Sequence, residues 1–161
     1  MHLTSFLSLA VLAATTAATP LDPALKLEAR AAYTNVNCGG QAIPSDAVRA
    51  AFNALIANGR KPEVDRPRNG NADSYPHYYG AADPSVRNEL NGICPLGANQ
   101  QYWEFPLLRV DGAYTGGYPG AYRVIARGKA EDSPANGYTY CLSAYHPPGG
   151  GNGFLPCQVT A

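Results

Sequence analysis

The chain carries no net charge, because its 12 lysine and arginine residues balance 12 aspartate and glutamate residues. It therefore lacks the broad positive surface with which many proteins hold a polyanion by charge alone. Residues 60–68 are a local exception, since this proline-broken segment is net positive. Most loops of this kind are solvated surface, and we interpret this one in the same way, although a substrate-facing role stays open.

The apolar run at residues 3–14 is too short to span a bilayer, so we expect no membrane partner. Its position, followed by small residues at 16–18, is typical of a secretory signal peptide over residues 1–18. Residues 19–30 are either a short propeptide or a flexible arm that stays attached. The remainder, residues 31–161, has the length of a single domain of a secreted, extracellular protein.

Leucine, isoleucine and valine are sparse in residues 31–161, which are rich in glycine, proline and tyrosine instead. A core this thin benefits from covalent cross-links. The four cysteines all lie in this region, and an even number behind a secretory leader predicts two disulfides, with three pairings open. No two cysteines have the Cys-x-x-Cys spacing, so we expect no zinc site. They are Cys38, Cys94, Cys141 and Cys157.

One segment has a clear helical period. Apolar residues recur at helical spacing between Val48 and Ile56. Ser45 or Asp46 can cap this helix, and Gly59 can end it.

The rest of the domain is predicted to form strands and turns. Strands are expected over residues 102–110, 122–126, 137–145 and 154–159, and a loop over residues 60–74. One helix followed by sequential strands predicts an α+β domain, with the helix packed on an antiparallel sheet.

Histidine is scarce, since only His77 and His146 lie beyond the N-terminal leader. Each occurs in a short segment rich in tyrosine, proline and glycine. Between them lie Glu104, among aromatic residues, and Arg123, at the start of an apolar run. If their strands pair, alternation can bring Glu104 and Arg123 together on the exposed concave face. A structural Glu–Arg pair is the competing interpretation.

These residue types suit the cleavage of RNA by its own 2′-hydroxyl, which attacks the adjacent phosphorus while the 5′-oxygen leaves. The reaction needs a proton acceptor, a proton donor and a charge that stabilises the phosphoryl oxygens. A carboxylate or neutral histidine can accept, and a protonated histidine, with a free pKa of about 6.5, can donate. A guanidinium can bind the phosphate, and a tyrosine hydroxyl can add a hydrogen bond. Each residue alone is more often structural, so the prediction depends on the set.

The chain resembles the small secreted fungal ribonucleases that prefer guanine or purines, with the sarcin-type ribotoxins as extended relatives. The resemblance covers residues 37–157 and depends on four motifs in order, which are Tyr-Pro-His at 75–77, Glu-Phe-Pro-Leu at 104–107, Pro-Gly-Ala-Tyr-Arg-Val-Ile at 119–125 and Asn-Gly-Phe at 152–154. It implies the α+β microbial ribonuclease fold and a monomeric endoribonuclease. This enzyme would cleave single-stranded RNA to a 2′,3′-cyclic phosphate without a metal or cofactor.

The resemblance also implies a role for each site residue. Glu104 would be the general base, with His77 assisting or replacing it, and His146 the general acid. Arg123 would face the phosphate, and Tyr75 would donate a hydrogen bond to it.

Two further features are implied in the same way. Phe154 would supply an apolar wall that shields the phosphoryl group. The disulfides would pair Cys38 with Cys157 and Cys94 with Cys141.

The segment that reads the base departs from guanine-specific members, because residues 78–83 lack their asparagines. Tyr78 or Tyr79 can stack on a base, although ordinary packing is an equal alternative. Asp83 can accept hydrogen bonds from a guanine edge, and Asn152 can contact the base through its backbone. The prolines at 147–148 replace the usual Thr-Gly type after the acid, which can shift its loop or lower activity.

Two alternatives use the same fold. The long mature chain and the basic segment 60–68 are compatible with a ribotoxin-like effector that acts on ribosomal RNA. A catalytically inactive RNA-binding effector is the third possibility, which is less favoured because every expected catalytic residue type is present.

Overall fold

The computed structural model describes residues 33–70, 73–110, 112–129, 137–149 and 151–160. The signal peptide and propeptide predicted for residues 1–30 lie outside the described residues. The helices are α1 (Ser45–Gly59) and α2 (Pro84–Ile93), and a 3-10 turn covers Glu63–Asp65. The strands are β1 (Asn35–Cys38), β2 (Gln41–Ile43), β3 (His77–Tyr79), β4 (Gln100–Pro106), β5 (Tyr122–Lys129), β6 (Thr139–Tyr145), β7 (Leu155–Pro156) and β8 (Gln158–Thr160).

Helix α1 forms where the apolar period predicted it and ends at Gly59 as expected. Its N-cap residue is Pro44, however, and no side chain caps the helix. The prediction that Ser45 or Asp46 caps α1 was therefore wrong. The Ser45 backbone N–H instead donates to Asn35 Oδ1 at 2.9 Å, because β1 lies beside the start of the helix.

The strands form two antiparallel sheets, which confirms the α+β class. The larger sheet has five strands in the order β3-β4-β5-β6-β7, and the smaller has three in the order β2-β1-β8. In the smaller sheet the first strand pairs with the last. The two ends of the described domain are therefore adjacent in the smaller sheet.

The two faces of the five-stranded sheet have different partners. Helix α1 packs against the face that carries Trp103, Phe105 and Val124. The opposite face carries Tyr102, Ile125 and Leu142, and its apolar part packs with Val86 and Leu90 of α2. By strand alternation Glu104 and Arg123 belong to this second face.

Helix α2 was not predicted, since the sequence pattern indicated one helix. Its buried residues are Val86 and Leu90, four positions apart, and Ile93, three positions further on, is 57% exposed. The spacing of these three apolar residues is a helical signal that was not recognised, because so few apolar residues carry it. Pro84 at the start of the helix is the remaining signal, because proline is favoured in the first turn.

Two other expectations about the chain need correction. The strand expected over residues 154–159 is divided between two sheets, because β7 pairs with β6 and β8 pairs with β1. The segment 60–74, expected to be a plain loop, contains the 3-10 turn and an isolated antiparallel bridge between Arg68 and Ser74.

Both disulfides are present with the pairing that the resemblance implied. Cys38–Cys157 joins β1 to the junction between β7 and β8, and Cys94–Cys141 joins the end of α2 to β6. Within the described ranges, none of the helices is both long and apolar enough to cross a bilayer.

Candidate active site

The centre of the second face is formed by β3, β4 and β5, which lie side by side. The register places His77 of β3 directly opposite Glu104 of β4. Side chains that are opposite in a sheet point to the same face. His77 Nε2 and Glu104 Oε1 are accordingly hydrogen-bonded to each other.

Arg123 enters the same face from β5, where it lies opposite Pro106. Its Nη1 donates to the carbonyl oxygens of Gly120 at 2.8 Å and Tyr122 at 2.9 Å. These bonds hold the guanidinium against its own strand. Its Nε lies 3.8 Å from Glu104 Oε1, so base and cation are neighbours.

Glu104 and Arg123 were expected on an exposed face, but the two residues are only 6% and 4% exposed. Within the described part of the chain, Glu104 Oε2 and Arg123 Nε are buried without a hydrogen-bond partner. A structural pair would satisfy these atoms, because an unpaired buried polar group costs about 1–3 kcal/mol. Unsatisfied buried atoms of this kind instead favour a site that a ligand completes.

Tyr75 lies beside this pair, although it belongs to the core cluster on the α1 side. Its hydroxyl oxygen accepts a hydrogen bond from Arg123 Nη2 at 3.3 Å. Burial raises the pKa of Tyr75 above its usual value, against the lowering effect of Arg123. The hydroxyl therefore keeps its proton near neutral pH and can donate it in a hydrogen bond to a substrate.

His146 lies just after β6, where its backbone N–H donates to the Ala121 carbonyl at 2.9 Å. Its ring Nδ1 is 3.0 Å from the carbonyl oxygen of Gly153. A carbonyl only accepts, so Nδ1 must carry the proton of this bond. The other ring nitrogen, Nε2, is consequently the atom left to serve a substrate.

Phe154 connects this histidine to the rest of the site. Its ring centroid is 3.8 Å from that of His146, and the Arg123 guanidinium carbon lies 6.0 Å from the same ring. The contacts therefore run from His146 through Phe154 and Arg123 to Glu104 and His77. The structure brings together all six residues expected to be catalytic, which are Tyr75, His77, Glu104, Arg123, His146 and Phe154.

The residues expected to bind a base are less closely grouped. Tyr79 is buried, packs edge-on against Phe154 at 5.5 Å, and lies with its hydroxyl 3.4 Å from Asp83 Oδ2. Burial, and then the charge of Asp83, raises the pKa of Tyr79. Tyr78 is 61% exposed and, like Tyr79, lines a cavity of about 490 Å³ between β3 and α2. Asn152 is exposed, two residues before Phe154.

Two residues that support the site were not predicted from the sequence. Arg66 is buried and donates from Nη1 to the carbonyl of Pro76 at 3.2 Å, next to His77. Tyr114 packs edge-on against Tyr75 with ring centroids 5.5 Å apart. The proline-broken basic segment carried the only sequence signal for Arg66, and nothing in the sequence distinguished Tyr114 from other tyrosines.

His77 and Glu104 are of the types that usually bind metal ions, and they are in contact with each other. In the part of the chain that the structure describes, however, no three or more histidine, cysteine, aspartate or glutamate side chains are grouped so that they could hold an ion. The candidate site is thus described by its histidines, carboxylate, arginine and aromatic residues.

Comparison with known proteins gives consistent matches. Residues 31–158 match the model of a family described as ribonuclease. Guanyl-specific ribonuclease Th1 of Trichoderma harzianum is 32% identical over 123 residues, which cover 76% of this chain and 96% of that protein. Guanyl-specific ribonuclease F1 of Fusarium fujikuroi is 30% identical over 156 residues, which cover 97% and 95%. Extracellular guanyl-specific ribonuclease Fl1 of Gibberella baccata is 30% identical over 121 residues, or 75% and 93%.

Proposed function

This chain belongs to the ribonuclease family, and from that premise we propose that it is a secreted endoribonuclease that cleaves single-stranded RNA after guanine. The cleavage is a transesterification that yields a 2′,3′-cyclic phosphate. The observation that carries the proposal is the buried, unsatisfied pair of Glu104 Oε2 and Arg123 Nε beside His77. A phosphodiester with its neighbouring 2′-hydroxyl supplies the partners that both atoms lack.

Glu104 is the general base in this proposal. Its Oε1 is already bonded to His77, while Oε2 has no partner among the described residues. Oε2 is therefore the atom that accepts the proton of the 2′-hydroxyl as the 2′-oxygen attacks phosphorus. His77 holds the carboxylate in place and is close enough to take over as base.

Arg123 and Tyr75 stabilise the phosphoryl group. The guanidinium is fixed by backbone carbonyls before any substrate arrives, so it needs little rearrangement to meet the developing charge. Tyr75, whose pKa is raised, supplies a neutral hydroxyl donor next to it. Phe154 covers the group and lowers the local dielectric, which strengthens both interactions.

His146 is the general acid. With Nδ1 committed to Gly153, its Nε2 donates a proton to the 5′-oxygen as the bond between phosphorus and that oxygen breaks. In a slower second step, water attacks the cyclic phosphate, with His146 accepting the proton of water and Glu104 returning one to the 2′-oxygen.

Guanine preference is proposed from the relatives, whose names describe them as guanyl-specific. Asp83 is the candidate acceptor for the donor edge of guanine, and Asn152 contributes a backbone contact. The buried ring of Tyr79 packs edge-on against Phe154 and supports this region from inside. Tyr78 has the exposed ring on which a base can stack. The same names favour a general ribonuclease over a ribotoxin-like or inactive effector.

The activity is tested with dinucleotides of each of the four bases, incubated with the mature protein and a chelator. We expect a 2′,3′-cyclic phosphate from guanosine-containing substrates, at a rate above that of the others. Cleavage that requires an added metal ion, or products that never pass through a cyclic phosphate, would contradict the mechanism.

Secretion is part of the same proposal, supported by a relative whose name describes it as extracellular, and we propose in addition that the protein is a monomer. Expression of the full chain in a fungal host should release the protein into the medium, with a mature N-terminus at residue 19 or 31. Retention of residues 1–18 in the secreted product would contradict the predicted signal peptide.

A further inference from the structure

A second cavity, of about 520 Å³, opens beside Tyr114, which packs edge-on against Tyr75. One wall is the segment from Lys61 to Arg68, and the other is residues 113–116. Neither wall contributes a residue to the proposed chemistry.

The lining of this cavity is positive, in contrast to the neutral chain as a whole. It contains three cationic residues, Lys61, Arg66 and Arg68, against the single carboxylate of Asp65. Arg66 is buried and bonded to the carbonyls of Lys61 and Pro76. The side chains of Lys61 and Arg68 are exposed. Neither side chain makes a hydrogen bond or an ion pair with another described residue. Both are available for an anion.

The cavity is fixed to the candidate active site by short contacts. The Tyr75 backbone N–H donates to the Pro67 carbonyl at 2.8 Å, and Arg66 Nη1 donates to the Pro76 carbonyl. On the other wall, the Gly117 N–H donates to the Arg68 carbonyl at 2.9 Å, and Tyr114 packs on Tyr75. The Arg66 side chain and the backbone of Pro67 and Arg68 are therefore held at a set position relative to the residues that face the scissile phosphate.

The direction of β3 indicates which part of an RNA would reach this cavity. The segment expected to read the base, residues 78–83, lies at and beyond the C-terminal end of β3, whereas the cavity wall formed by residues 61–68 is bonded to Tyr75 and Pro76, before its N-terminal end. The nucleotide whose base is read lies on the 5′ side of the scissile bond. If the base is bound beyond Tyr79, the part of the RNA on the 3′ side of the scissile bond extends toward Tyr75 and the cavity.

We propose that this cavity is a phosphate subsite, in which Lys61 and Arg68 bind a phosphodiester of single-stranded RNA on the 3′ side of the cleaved bond. The inference rests on the proposed function and extends it from a dinucleotide to a polymeric substrate. Lysine and arginine bind phosphate by charge-assisted hydrogen bonds, and a concave site holds the anion better than a convex surface does. A chain without net charge gains local attraction for RNA here that its overall field does not supply.

The experiment compares Lys61→Gln, Arg68→Gln and the double variant with the wild type on three substrates. These are a guanosine dinucleotide, an oligonucleotide extended on the 3′ side of the guanosine, and one extended on the 5′ side. Lys129→Gln, which removes an equivalent exposed charge at the far end of β5, is the matched control. Binding of a 3′-extended oligonucleotide with 2′-deoxyguanosine, which lacks the attacking hydroxyl, is measured separately from cleavage.

For the double variant we expect KM on the 3′-extended substrate to rise about 3- to 10-fold, because the variant loses two partly exposed ion pairs with the phosphate. The salt dependence of its binding should also weaken, by a slope of about 0.7 for each phosphate that the variant no longer binds. The dinucleotide, the 5′-extended substrate and Lys129→Gln should be unaffected.

Equal losses on the dinucleotide and the 3′-extended substrate would overturn the subsite, as would a KM that does not change or a loss confined to 5′ extension. If the wild type cleaves no guanosine substrate, the proposed function fails and the inference with it. If the wild type cleaves and the variants bind the 3′-extended probe normally, the inference alone fails.

Discussion

At the scale of single residues, the site is defined by atoms that the folded chain leaves without partners. Glu104 is buried next to His77 and Arg123, yet one of its two carboxylate oxygens has no hydrogen bond among the described residues. Arg123 uses Nη1 and Nη2 on fixed partners and leaves Nε unused. Substrate binding removes both desolvation penalties at once, so part of the cost of burying these groups is recovered when RNA binds.

The acid assignment predicts the effect of His146→Ala. The rate of dinucleotide cleavage should fall by a factor on the order of 10²–10⁴, as expected for the loss of one proton-transfer group. The loss should shrink when the leaving nucleoside, which departs through its 5′-oxygen, is replaced by a nitrophenol. The nitrophenolate oxygen leaves without needing a proton from the enzyme. An equal loss on both substrates would show that His146 acts in another way.

The base assignment predicts a graded result for Glu104 and His77. Glu104→Gln should lower kcat less than His146→Ala does, because His77 is bonded to Glu104 and can accept the 2′-hydroxyl proton. Glu104→Gln combined with His77→Ala should lower kcat by about 10²–10⁴. Steady-state kinetics on one guanosine dinucleotide compares the variants, and a double variant with undiminished kcat would exclude both residues from catalysis.

At the scale of secondary structure, prediction from the sequence succeeded where apolar residues are regularly repeated. Helix α1 and strands β4, β5 and β6 have enough apolar residues for their period to be recognised. Strand alternation also predicted the meeting of Glu104 and Arg123, but not their burial, which depends on residues from elements distant in sequence.

Short elements could not be recognised in this way. Strand β3 has three residues, so the sequence offers no pattern for the pairing of His77 with Glu104. The position of His146 beside Phe154 depends on a backbone bond to Ala121 and a ring bond to Gly153, which are tertiary contacts. Only the family resemblance implied that these groups converge.

Helix α2 allows a test of an element that the sequence did not predict. Leu90 is fully buried between α2 and the second face of the sheet. Leu90→Ala should lower the free energy of unfolding by about 2–5 kcal/mol through reduced burial and a residual cavity. Asn88→Ala, on the exposed side of the same helix, should change it by less than about 0.5 kcal/mol. Urea unfolding measures both, and equal small effects would contradict the packing of α2.

At the scale of the whole molecule, the two disulfides should differ in what they contribute to stability. Cys38–Cys157 joins residues 119 apart, and Cys94–Cys141 joins residues 47 apart. Replacing either pair by serine should cost about 2–5 kcal/mol, and chain entropy makes the longer loop the costlier loss by about 0.8 kcal/mol. Denaturant unfolding of the two double variants checks the order. An unchanged midpoint for either variant would contradict the contribution of that disulfide.

Stability at high pH tests how the tyrosine-rich core responds to ionisation. Tyr140 packs with Phe52 and Tyr33, and burial raises its pKa from 10.0 to about 12. The unfolded chain then loses this proton at a lower pH than the folded one. The protonated Tyr140 therefore contributes fully to the free energy of unfolding below pH 10. This contribution, about 2–3 kcal/mol, is lost as the pH rises to about 12.

The Tyr140→Phe variant isolates this contribution. It should lose about 1 kcal/mol at neutral pH, because the hydrogen bond between the Tyr140 hydroxyl and Ser143 is removed. Its urea midpoint should then fall less steeply than that of the wild type between pH 10 and 12, since no buried hydroxyl remains to ionise at this position. Tyr118→Phe, at a side chain 86% exposed, should follow the wild type. If Tyr140→Phe loses stability with pH as steeply as the wild type, alkaline unfolding is controlled by the other buried tyrosines, whose pKa values burial also raises.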